Sequence, residues 1–305
     1  MRILSIDGGG IRGIIPALVL AEVEARTGRR VAELFDLVAG TSTGGILACA
    51  LTIPGARPAA EVVELYRTEG PRIFHRSLWQ RIQSADGLID EKHDDAGLRA
   101  ALTDYLGIAR LSDATTRVLV TAYDLERREP YFFKSWRPDR DAPMVDVARA
   151  TSAAPTYFEP IGLDGLALVD GGVFATNPAM CAYAEAVRLA QEAGARVDVR
   201  MVSLGTGQLT RPIHLAEARG WGLVEWVRPI IDVVFDGVAD TVEYQLAHIL
   251  GPEAYDRFQT RLDDASDALD DASAKNLADL EREATKLISA RSADLDRVCA
   301  ALVAP

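Results

Sequence analysis

Residues Phe35 to Ala39 form a short apolar run that breaks at Gly40-Thr41-Ser42-Thr43-Gly44 and resumes as Ile46 to Leu51. A strand that turns into a helix within so few residues needs glycine two places before and two places after the turning serine, because a side chain at either place would collide across the turn. The pattern predicts a strand, a tight turn and a helix in succession, with the Ser42 hydroxyl exposed above a helix N-terminus. Partial positive charge there favours a developing anion. A plain glycine-rich turn whose serine caps the helix has the same composition, so the elbow gains meaning from what accompanies it.

Two other stretches accompany it. The chain opens with the apolar run Arg2 to Ile6, followed by Asp7-Gly8-Gly9-Gly10-Ile11-Arg12-Gly13 and an apolar helical segment through Pro16 to Val23. Consecutive glycines between a strand and a helix leave backbone N–H groups uncovered, which makes a cradle for an anion. Gly8-x-Gly10-x-x-Gly13 also satisfies the dinucleotide fingerprint, but that reading needs an acidic residue at the end of the second strand. Asp36 comes before the second apolar run, and Gly40-Thr41-Ser42 stands at its end. The third stretch is Leu166 to Val173, where a strand delivers Asp170 into a turn with Gly171 and Gly172. A serine hydroxyl needs a positioned base to take its proton, and Asp170 is a candidate. A free aspartate titrates near about 3.9, so burial or geometry must strengthen it. A simple Asp-Gly-Gly turn is the plainer reading.

Taken together and in this order, the Asp7 to Gly13 loop, the Gly40 to Gly44 elbow and Asp170-Gly171-Gly172 resemble the patatin-like phospholipase family. The linking segments Ala148 to Phe158 and Ser203-Leu204-Gly205-Thr206-Gly207 agree, and the resemblance covers roughly residues 1 to 250. It implies a three-layer α/β/α fold and hydrolysis of acyl esters of membrane lipids by a Ser/Asp dyad through an acyl-enzyme intermediate, without histidine and without a cofactor or metal. Carried over by position, it implies Ser42 as nucleophile and Asp170 as general base. It also implies Gly8, Gly9, Gly10 and Arg12 around the oxyanion, with Gly40, Gly44, Gly171 and Gly172 supporting the turns.

The remaining features bound these expectations. A chain of 305 residues with 49% hydrophobic and 26% charged residues has the makeup of a globular protein able to bury a sizeable core. The net charge of −12 argues against nucleic-acid partners and long-range attraction to anionic lipid. Any membrane contact is expected to be transient, apolar and local. Cys49, Cys181 and Cys299 are widely spaced and read as reduced thiols. The chain enters a strand at once and has no long apolar run, so a cytoplasmic location, peripheral at most to a membrane, is expected.

Alternation of apolar strands and helical periods predicts an α/β fold with a mainly parallel central sheet covered by helices on both faces. The expected organisation is a catalytic domain over 1–250 and a helical C-terminal extension over 251–305 that packs on it. Ala148 to Ala154 reads as a helix start ended by Pro155. Phe74, Leu78, Trp79 and Ile82 are candidates for an apolar lip. Gly220 to Leu250 is apolar enough to be a buried helix pair, with an acyl-chain groove or a bilayer-facing surface as alternatives. Two other readings of function stay open: a Ser/Asp/His triad using His214, or a non-catalytic module that holds a phosphate headgroup or nucleotide on Gly8 to Gly13. His75, His93 and His248 complete the histidines.

Overall fold

A computed structural model describes residues 1–55, 57–73, 95–208 and 212–304. β1 (Arg2–Ile6) leads through a 3-10 turn at Gly10–Gly13 into α1 (Ile14–Thr27). The short α2 (Val31–Leu34) is followed by β2 (Leu37–Gly40), α3 (Thr43–Thr52) and α4 (Ala59–Ile73). Then come α5 (Asp95–Leu106), β3 (Arg117–Asp124), β4 (Glu129–Lys134), α6 (Met144–Thr151), and the hairpin of β5 (Ile161–Leu163) and β6 (Leu166–Asp170). The chain continues with α7 (Gly172–Ala175), α8 (Ala179–Glu192), β7 (Arg200–Leu204) and α9 (Leu215–Ala218). It closes with α10 (Leu223–Leu250), β8 (Tyr255–Phe258), α11 (Ala274–Ala290) and α12 (Ser292–Val303).

The strands make one sheet in the order β5-β6-β3-β2-β1-β7-β8, with β4 on the other edge of β3. The pairs β3/β2, β2/β1, β1/β7 and β7/β8 are parallel, whereas β4, β5 and β6 join antiparallel. Strand period decides which face each side chain serves. Ile3, Leu37, Leu119 and Met201 pack with Ala179, Ala182 and Ala186 of α8 on one face. Leu4, Ile6, Val38, Val120 and Val202 pack on the other with apolar residues of α1, α3, α6, α11 and α12. Burial of each such Leu or Ile contributes about 1.5–3 kcal/mol relative to exposure. This is the expected mainly parallel sheet between two helical layers.

Some expectations change in detail. Ala148 lies inside α6, near its end, because the helix starts earlier, at Met144. Gly220 to Leu250 holds one continuous 28-residue helix with Pro229 in its first part, not a buried pair. Among its described side chains only Leu246 is buried. Residues 251–305 supply the edge strand β8 as well as α11 and α12. Cys49, Cys181 and Cys299 are free. Phe74, Leu78, Trp79, Ile82, His75 and His93 lie outside the described residues. Among the described residues no helix is long and apolar enough to cross a membrane.

Candidate active site

One edge of β3 brings the distant motifs together. Over Arg117 to Val120 that edge pairs with β2, which runs parallel and ends at Gly40. Over Ala122 to Asp124 it pairs with β6, which runs antiparallel and ends at Asp170. The opposite edge is taken by β4. β2 and β6 therefore run head to head along one line, and their C-terminal ends meet across Thr121. Thr41, just past the end of β2, shares a 2.7 Å hydroxyl contact with Thr121 and donates to the Ala175 carbonyl at 2.6 Å. The elbow and the Asp170 turn are thus fastened to each other as well as to the sheet.

Close backbone packing sets the elbow. A Cβ on Gly40 would lie 2.1 Å from the Gly44 carbonyl oxygen, and one on Gly44 would lie 2.1 Å from that of Ile6. Ser42 itself has φ 54° and ψ −124°, a left-handed strain that a non-glycine residue adopts only when its surroundings impose it. Its N–H donates to Thr151 Oγ1 at the end of α6, at 2.9 Å. Asp170 is buried, and its Oδ1 accepts from the Gly172 N–H at 2.7 Å. Its Oδ2 is buried without a hydrogen-bond partner among the described residues. Burial pushes the Asp170 pKa up to about 7, against the Ser42 hydroxyl and the Gly172 N–H, which favour the ionised form. The Ser42 hydroxyl stands close enough to act on that carboxyl.

The glycine loop lies against the elbow. Gly8 donates its N–H to the Thr176 carbonyl at 2.9 Å and accepts from Thr206 Oγ1 at 2.7 Å, so Gly8 is a brace with its donor occupied. Gly9 and Gly10 line the same cavity as Ser42, and their N–H groups have no hydrogen-bond partner among the described residues. Arg12 sits beneath the loop, 7% exposed, with Nε donating to the Gly9 carbonyl at 3.2 Å. Its charge is offset by Asp236, Asp232 and Asp267, while burial lowers its pKa. Asp7 is held by a buried two-pronged ion pair with Arg257 of β8, at 3.0 and 2.6 Å. Burial raises the Asp7 pKa and the guanidinium opposes that shift. Removing one partner from such a pair typically costs about 3–5 kcal/mol.

Ser42, Gly9, Gly10 and Asp170 border one cavity of about 60 Å³ whose other walls include Leu65, Leu98, Phe158, Phe235 and Leu269. Tyr66 also borders it, hydrogen-bonded to the Thr43 hydroxyl. Of the described histidines, His214 caps the exposed α9 and His248 bonds the Tyr244 carbonyl of its own helix; neither borders the cavity. Thr151 and Thr206 lie in the two linking segments and Phe235 in the apolar stretch noted above, but their contacts, like those of Thr121 and Arg257, join distant segments.

The mainly parallel sheet thus carries a strained serine elbow at the end of one strand, beside a buried carboxyl and a glycine loop. The profile of the patatin-like phospholipase family matches residues 4–183. Patatin-like protein 2 of Arabidopsis thaliana is 34% identical over 94% of this chain and 83% of its own length. The potato (Solanum tuberosum) protein named "Probable inactive patatin-3-Kuras 1" is 32% identical over 91% of this chain and 83% of its own. Among solved structures, VipD from Legionella pneumophila matches with a TM-score of 0.44 and 11% identity, over 95% of this chain and 66% of that one. The chain belongs to the patatin-like phospholipase family, a family of lipid acyl hydrolases.

Proposed function

We propose that the protein hydrolyses acyl esters of membrane phospholipids through a Ser42/Asp170 dyad. The observation that supports this most is the unpartnered, buried Oδ2 of Asp170 beside the strained Ser42, on a carboxyl that titrates at about 7. Asp170 takes the Ser42 proton as Oγ bonds to the ester carbonyl carbon. Gly9 and Gly10 donate their N–H groups to the oxyanion, Gly8 braces the loop, and Arg12 holds it through the Gly9 carbonyl. The proton then passes to the departing alcohol oxygen as the carbon–oxygen bond breaks. Water, deprotonated by Asp170, attacks the acyl-serine and releases the fatty acid with Ser42 restored.

The cavity is walled mostly by apolar side chains, among them Leu65, Leu98, Leu102, Phe158 and Phe235 of α10, which suits the acyl chain of a lipid ester. The same helix carries Leu223, Ile230, Val233 and Val234 in solvent. An apolar face next to the mouth of a lipid site favours transient contact with a lipid surface.

Hydrolysis of a chromogenic medium-chain ester and of phospholipid micelles tests the reading. Ser42→Ala and Asp170→Asn are expected to lose turnover by roughly a thousandfold or more while remaining folded, and His214→Ala/His248→Ala to keep it. Loss in the histidine variant would replace the dyad by a triad. A wild type that turns over neither substrate would return the chain to the non-catalytic reading, in which Gly9 and Gly10 hold a ligand's anion.

A further inference from the structure

The glycine loop has a second side. Behind it lies another cavity, of about 280 Å³, bordered by Gly8, Arg12, Gln208, Arg261 and the inner face of α10. Phe235 borders both cavities, and its ring also lies against the Asp170 turn, 3.0 Å from where a Cβ on Gly172 would stand. It is therefore the partition between an apolar chamber and a polar one. An acyl chain belongs in the first, and the second offers hydrogen-bonding groups for the alcohol half of a lipid whose ester lies at Ser42.

The charges around the second chamber lean acidic. Asp7 borders it, but Arg257 matches its charge. What remains is Arg12 and Arg261 against Asp236 and Asp240, while Asp232 and Asp267 also face Arg12 and Asp263 pairs with Arg261 at 3.7 Å. Arg12 is more than nine-tenths buried, and its Nη1 has no hydrogen-bond partner among the described residues. Buried guanidinium donors are ordinarily satisfied, so Nη1 is a donor available to an incoming acceptor. Asp236 is half-buried, and the desolvation that raises its pKa also makes a cationic partner welcome. Asp240 stands at the rim, where Gln208 Nε2 orients it at 3.3 Å.

We propose that this chamber receives the headgroup of a zwitterionic glycerophospholipid, with its phosphate on Arg12 and its ammonium between Asp236 and Asp240. A purely anionic headgroup would bring unmatched negative charge against those carboxylates. A neutral acylglycerol would leave the Arg12 donor unmet. The position of the ester rests on the Ser42 reading, but recognition of the headgroup is a binding property and is measured without turnover.

The test is calorimetric titration of the Ser42→Ala protein with sn-glycero-3-phosphocholine, glycerol 3-phosphate and galactosylglycerol. Glycerophosphocholine is expected to bind tightest, by about fivefold over glycerol 3-phosphate, and Asp236→Asn/Asp240→Asn is expected to erase that preference. Glycerol 3-phosphate or galactosylglycerol binding as tightly, or no binding of any of the three at millimolar concentration, overturns the proposal. In a second measurement, the ratio of phosphatidylcholine to phosphatidylglycerol hydrolysis in mixed micelles is expected to fall about tenfold with Asp240→Asn. An unchanged ratio alongside Ser42-dependent ester turnover defeats the headgroup site alone. Glycerophosphocholine binding in a protein without ester turnover defeats the Ser42 reading alone.

Discussion

α10 and the C-terminal pair α11 and α12 are both helical and rich in apolar residues, yet they are held in opposite ways. α11 and α12 bury Leu277, Leu280, Leu287, Leu295, Val298 and Leu302 in the main core. Their charges pair at the boundary of that core, with exposed Lys275 on buried Asp279 and exposed Lys286 on buried Glu283. α10 is longer and more apolar, but Leu223 is 90% exposed, Ile230 44% and Val233 46%. Its inner side holds on with Phe235 and Leu246 and also with charge: Asp232 and Asp236 face Arg12, and Glu243 reaches Arg257. The core-packed pair is fastened by burial, which scales with apolar area removed from water. The other helix is fastened partly by carboxylates whose desolvation works against them.

The largest expected effect lies in the core-packed pair. Leu280→Ala is expected to cost about 2–5 kcal/mol, read as a lower urea midpoint at unchanged slope, because it opens a cavity in a close-packed interior. A loss under about 1 kcal/mol would mean that the C-terminal helices are no better anchored than α10.

A second effect, of similar size at most, belongs to Asp170, against whose turn Phe235 lies. Its folded pKa of about 7 lies above the unfolded value of about 3.9, so the folded state binds the extra proton. Its contribution to stability is present below about pH 4 and is lost as pH rises to about 7, at most on the order of 4 kcal/mol. On the proposed dyad, activity has the opposite sign, because Asp170 acting as base must be ionised: kcat/KM is expected to rise with pH and level off above about 7. Asp170→Asn is accordingly expected to raise the thermal midpoint at pH 8 and leave it nearly unchanged at pH 4. Equal shifts at both pH values would remove burial of the charge as the cause.

The smallest effect on stability is expected on the outer face of α10. Leu223→Asp/Val233→Asp should shift the unfolding free energy by less than about 1 kcal/mol, since neither side chain is buried. Hydrolysis of vesicle phospholipid should drop several-fold while a soluble ester is turned over as before. Equal losses on both substrates would show that the face supports the fold and not a lipid surface.

The pieces of the site were legible at different depths. Gly40 and Ser42 could be read from the sequence because the collision at Gly40 is with Gly44, four residues on, whereas Gly44 is required by the approach of Ile6 from β1. Asp170 was legible as a carboxylate delivered into a glycine turn, and the same motif marked Gly171 and Gly172. The glycine loop was legible as a row of donors, but only the fold shows Gly8 already bonded to Thr176 while Gly9 and Gly10 remain unoccupied. Thr151, which receives the Ser42 N–H, and Arg257, which pairs with Asp7, act over 109 and 250 residues of separation and have no local pattern. The apolar composition of α10 suggested burial, and the structure reverses this. Composition gives the amount of apolar surface, whereas the layer beneath a helix decides which side is covered.

By itself the chain determines its alternating strands and helices and where its tight turns fall, since period and turn propensity are short-range. Tertiary structure decided the rest. β2 and β6 meet head to head because both pair with one edge of β3, and that meeting buries Asp170 beside Ser42. Burial turns an ordinary carboxyl into a group that titrates near neutrality. No local sequence specifies that shift, because the solvent that would have stabilised the charge is excluded by segments drawn from the whole chain.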